Sequence, residues 1–156
     1  MFKTLGAFIN DLVGEKRKPD TFDESDHRLA AAALLFHAIS IDGFEDPAEK
    51  KKLHTMLKSW FGISDAEAKA LVEQARQKDL ESVDLHGFTS VLNRSLDDAG
   101  KRRVVEMLWE IVYADGDVHE FEDNLIWRVA ELLGVSTRER VLLRKQVEAG
   151  RDAKAE

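Results

Sequence analysis

The sequence predicts an all-α fold on three observations. Apolar residues recur at helical spacing along nearly the whole chain, and no stretch alternates apolar and polar residues for more than a few positions. Proline and glycine are few and mostly mark the gaps between periodic segments. With 156 residues, 44% of them hydrophobic, the chain suits one domain of ordinary size. A domain of that size buries roughly 68–70% of its unfolded surface, enough for a core without disulfides or structural metal. The expectation is a single domain of about seven to eight helices.

The elements follow in order. In MFKTLGAFINDLVG, residues Phe2, Leu5, Phe8, Ile9, Leu12 and Val13 fall within an arc of roughly 140°, an amphipathic helix. Lys16, Arg17 and Lys18 follow it. Two readings are open: the helix packs on the body of the protein, or residues 1–18 lie on an anionic membrane surface. The segment does not read as a secretory signal. Residues 1–20 are therefore set apart as this helix and a polar connection, which Pro19 keeps from continuing helically. A second helix is expected from Ser25 to Ile41, apolar almost all round and so buried on most sides. Its apolar run, broken by His37, is too short to span a bilayer. Pro47 to Phe61 forms a third, ended by Gly62. Ser64 and Glu67 make a capping box that opens a fourth, reaching about Lys78. A shorter helical piece spans Val83 to Leu96, and from Lys101 the pattern begins again. Residues 151–156 read as a frayed tail.

That return is an internal repeat. A shift of 73 places Leu35 on Leu108, Phe36 on Trp109, Asp42 on Asp115, Gly43 on Gly116 and Glu49 on Glu122. A shift of 72 places Gly62 on Gly134, Ser64 on Ser136 and Glu67 on Glu139. Two three-helix units, about 27–78 and 100–149 within a domain of 21–150, should pack Leu29–Ile41 against Val104–Ala114.

Composition narrows the chemistry. The chain has no cysteine, which removes disulfides, thiolate zinc sites, iron–sulfur clusters and cysteine nucleophiles. A net charge of −7 argues against nucleic acid as a partner. No Gly-rich phosphate loop, Gly-x-Ser-x-Gly or His-Glu-x-x-His occurs, so no organic cofactor and no catalytic residues are expected. What remains is a pair of acidic turns. The first holds Asp42, Glu45, Asp46 and Glu49; the second holds Asp115, Asp117, Glu120 and Glu122. Hard divalent cations of the calcium or magnesium class take oxygens from such segments, and His119 would shift preference toward manganese or zinc. Neither turn has the spacing of an EF-hand.

Capping explains many of the same residues. Gly43 and Gly116 suit helix ends, and Asp46-Pro47-Ala48-Glu49 is a good helix start. Asp42 and Asp115 fit less well, because acids at helix C-termini oppose the dipole. Two acids at equivalent unfavourable places imply a compensating partner, either a cation or a neighbouring helix N-terminus. His37 reads as a core histidine. Trp60, Trp109, Trp127, Phe36 and Phe61 read as core by spacing. His54 and His86 have no zinc-like spacing, and Lys50–Lys52 with Arg138, Arg140, Arg144 and Lys145 read as solvated faces.

The segment ALLFHAISIDG with Glu49 seven residues after Asp42, and the segment MLWEIVYADGDVHEFEDNLIWRVAELLGVS, resemble the tellurite-resistance protein B (TerB) family over about residues 25–150. The leading helix and VDLHGFTSVLNRSL are similar to a small stand-alone bacterial branch of it. The resemblance implies an all-helical, duplicated domain in the cytoplasm or at the inner face of the membrane. It implies a divalent cation bound by acids at the Asp-Gly turns, here Asp42, Glu49, Asp115 and Glu122. It also implies a place in stress and tellurite-resistance systems, alongside calcium-binding and membrane partners. The first turn has Phe44 where the second has Asp117, and Pro47 where it has Glu120, so the second turn, with Asp117 added, is the stronger candidate. Reducing tellurite would need thiols or a redox cofactor. The expectation is a non-enzymatic module that binds a cation and docks a protein partner. Two alternatives stand beside it: a metal-dependent hydrolase with His119 as base, or a membrane-surface adaptor held by the first helix.

Overall fold

Seven helices make up a computed structural model that describes residues 22–23, 26–41, 46–81, 85–114 and 118–155, without the side chains of 79–81 and 151–155. They are α1 (His27–Ser40), α2 (Pro47–Phe61), α3 (Asp65–Glu81), α4 (His86–Ser95), α5 (Asp98–Val112), α6 (Glu120–Leu133) and α7 (Thr137–Ala155). No strand occurs among the described residues. The predicted amphipathic helix at residues 2–13 lies outside them.

α1 is the centre of the molecule. Its residues Leu29 to Phe36, with Ala38 and Ile39, are all buried, so burial holds the helix on every side. Asp26 starts it: the carboxylate accepts the Arg28 amide at 2.9 Å and grips the Arg28 guanidinium at 2.8 Å. α1 packs most extensively on α3, then on α4, α5 and α2. α5 has the same place among the later helices, packing on α7, α1, α6 and α2. It buries Val104, Val105, Met107, Leu108, Trp109, Ile111 and Val112. The expected contact between the two most apolar helices is therefore present.

Local devices recur at equivalent positions. Gly62 ends α2 at φ 62° and Gly134 ends α6 at φ 74°, a conformation costly for a residue with a Cβ. Ser64 and Glu67 exchange capping hydrogen bonds at 2.9 and 3.1 Å, and Ser136 and Glu139 do so at 3.3 and 3.1 Å.

Several expectations need correction. Trp127, read as core, is 46% exposed on α6, while Trp60 and Phe61 are only half-buried at the core edge; Phe36 and Trp109 are fully inside. α5 begins at Asp98 rather than Lys101, because Asp97 caps it by accepting the Gly100 amide at 2.9 Å. The backbone of α7 stays helical to Ala155, through the residues read as a tail. His37 is half-buried rather than fully enclosed. No described helix is long and apolar enough to cross a membrane.

Candidate metal centre

Two helix junctions hold the acidic turns. At the first, between α1 and α2, Asp46 caps α2: its side chain accepts the amides of Ala48 at 2.8 Å and Glu49 at 3.4 Å. Pro47 occupies the first helical position, where a missing N–H costs nothing. The third position is Glu49, whose residue surface is only 2% exposed. At the second, between α5 and α6, His119 precedes the helix and is itself exposed. Glu122, again third in its helix, reaches back so that its Oε1 accepts the His119 amide at 3.0 Å. Glu122 is 3% exposed.

These glutamates are the buried acids among the described residues; the other buried polar side chain, Thr89, donates its hydroxyl to the His86 carbonyl at 3.2 Å. Burying a carboxylate costs several kcal/mol unless hydrogen bonds or a positive charge compensate. A helix N-terminus offsets part of that cost through its dipole and its open amides. The same arrangement presents hard oxygen donors, the donor class that calcium and magnesium prefer.

Of the predicted ligands, the structure places Glu49 and Glu122. Asp42, Asp115 and Asp117 lie outside the described residues, as does Glu45. Among the described residues no group of three His, Asp or Glu side chains converges. α2 and α6 share no substantial interface. One groove nevertheless adjoins both junctions. It has a volume of about 610 Å³, runs between α2, α5 and α7, and is lined in part by Ala48 and Ala114. Ala48 immediately precedes Glu49, and Ala114 immediately precedes Asp115.

The groove walls are charged. Lys52 Nζ lies 3.5 Å from Glu110 Oε1. Burial, and then the neighbouring Glu110 carboxylate, push the Glu106 carboxyl up from its ordinary value. Beside the groove, Arg144 stacks 4.9 Å above the Trp109 ring, donates to the Tyr113 hydroxyl at 2.9 Å and reaches Asp123 at 3.2 Å. Tyr113 also donates to Glu148. This network ties α5, α6 and α7 together just before the second junction, and composition had placed Arg144 on a solvated face. The only signal for it in the sequence was the fourfold spacing of Arg144 and Glu148 on one helix.

The family model described as tellurite resistance protein TerB matches residues 28–145, about three quarters of the chain. No curated protein and no solved structure gives a match.

Proposed function

The chain belongs to the TerB family of tellurite resistance proteins, and from that premise we propose a non-enzymatic module that binds a divalent cation and docks a protein partner in a tellurite-resistance-related system. The observation that carries the reading is the pair of buried glutamates, Glu49 and Glu122, each third in its helix and each beside an acidic Asp-Gly turn. In this reading Glu49 and Asp42 serve one junction, while Glu122, Asp115 and Asp117 serve the other. A calcium- or magnesium-class ion neutralises the clustered acids and fixes how α2 follows α1 and how α6 follows α5. Because α1 and α5 pack together, fixing either junction also fixes the surface around the shared groove, and so the face offered to a partner. Tellurite itself is an anion that acidic turns repel, and the chain brings no thiol to reduce it.

Calorimetric titration of calcium, magnesium, manganese and zinc into metal-stripped protein tests the proposal. Saturable binding of one ion, weakened in Glu122→Gln and Glu49→Gln with helical content unchanged, is the expected result. Absence of binding heat with all four ions would return the junctions to capping alone.

A further inference from the structure

We propose that the outer face of the α6–α7 pair is the contact surface of a two-fold dimer of this chain. The exposed large hydrophobic side chains among the described residues are Phe121, Trp127, Leu132, Val141 and Leu142, and all stand on these two helices. Apolar surface gathered in one region marks a contact site, whereas scattered single residues do not.

The helix register gives the face its pattern. Glu120, Asn124, Trp127 and Glu131 are exposed at spacings that form one strip along α6. Arg138, Leu142, Lys145 and Ala149 repeat the same spacings along α7 and are also exposed. Arg128 lies off the α6 strip, with Phe121 and Leu132 on the flank toward α4, where Asn93 Nδ2 donates to the Leu132 carbonyl at 3.0 Å. The α6 strip is therefore acidic and the α7 strip basic. None of Glu120, Glu131, Arg138 and Lys145 has an ion-pair partner among the described residues.

This opposition selects a second copy as the occupant. α6 and α7 run back along each other from Gly134, and Arg144 meets Asp123 at 3.2 Å. From that contact Glu131 stands about 12 Å and Arg138 about 9 Å toward the turn, with Trp127 at about 6 Å and Leu142 at about 3 Å. A two-fold axis parallel to the helices lays α6 on the partner's α7 and keeps these levels. Glu131 then faces the partner's Arg138, Trp127 faces the partner's Leu142, and the partner's Lys145 falls between Asn124 and Glu120. An axis across the helices would instead set acid on acid and base on base. The face is about 20 Å long and two helices wide. That is the small end of specific interfaces, so a dissociation constant of about 10–100 µM is expected.

Sedimentation velocity on the full chain, at concentrations up to about 1 mM, tests this. Wild type should shift from monomer to dimer as concentration rises. Glu131→Lys, Arg138→Glu and Leu142→Asp, all at exposed helix positions, should each weaken association at least about tenfold, with helical content unchanged by circular dichroism. An equimolar mixture of Glu131→Lys and Arg138→Glu restores both charge pairs in a mixed dimer, and should return the affinity to within about threefold of wild type. A wild type that stays monomeric throughout would overturn the proposal and leave the face to a different partner. Binding of the monomer to anionic vesicles would overturn it in favour of a lipid surface. Self-association that Leu142→Asp leaves intact, or charge reversals that the mixture does not rescue, would place the contact elsewhere and overturn it as well.

Discussion

The two junctions solve one problem with different residues. At the first, an aspartate caps the helix, a proline begins it and a buried glutamate follows. At the second, an exposed histidine takes the cap position, and the buried glutamate supplies a capping bond itself through the His119 amide. The side chains that cap have changed, yet the third residue is a buried acid in both. Capping alone does not require that residue to be buried, since Glu67 and Glu139 perform the same bond at α3 and α7 while only half-buried. The comparison therefore separates two properties that look alike in sequence: closing a helix end, and placing a carboxylate inside.

The largest effects should come from the paired core aromatics. Phe36→Ala on α1 and Trp109→Ala on α5 should each lower stability by about 3–5 kcal/mol. Because α1 and α5 pack on each other, denaturant unfolding should stay a single transition in both variants. A biphasic curve in Trp109→Ala alone would show that the later half unfolds independently. Next in size, Gly62→Ala and Gly134→Ala should cost roughly 1–2 kcal/mol each, since both hold left-handed backbone. Open space surrounds each, so their thermal shifts should match; unequal shifts would break the equivalence of the two helix ends. Asp46→Ala should cost about 0.5–2 kcal/mol, and His119→Ala less, because Glu122 still closes that end. Equal losses at the two caps would contradict the division of labour described above.

The smallest effect is pH-dependent and lies at the start of α1. The hydrogen bond from Arg28 holds the Asp26 carboxyl below its ordinary value, against the opposing effect of burial. A depressed carboxyl adds stability that is present above its unfolded value and lost as pH falls through its folded value. Asp26→Asn keeps a good cap but loses the charge. The gap in melting temperature between wild type and Asp26→Asn should be constant near neutrality and close as pH falls below about 4. A gap that widens in acid would reverse the assignment.

Much of the fold was legible because its signals are local. Pro47 and Gly62 delimit α2 at the expected residues, and the Ser64–Glu67 box opens α3 as its spacing implies. Asp97 carries no capping-box signal in the sequence, because the third residue after it is Gly100 rather than Glu or Gln. Spacing placed Trp127 in the core because periodicity gives a helix its faces without saying which edge a neighbour covers. The candidate site was legible in part for the same reason. The spacing put glutamates third in α2 and α6, but their burial depends on helices distant in sequence. His54 shows the limit as well: it lacked any motif spacing, yet its Nε2 meets Asp65 across the α2–α3 turn at 2.8 Å. The groove, built from three separated helices, has no sequence signature at all.

The central claim is that the acids at these junctions hold a cation, and paramagnetic manganese tests it most directly. Substoichiometric manganese, added to metal-stripped protein, should broaden the amides of Val118 to Glu122 first and those of Asp46 to Glu49 at higher occupancy. Calcium or magnesium should reverse the broadening by competition, and Glu122→Gln should remove its first phase. Broadening spread evenly over the exposed carboxylates of the surface, untouched by Glu122→Gln, would contradict the account.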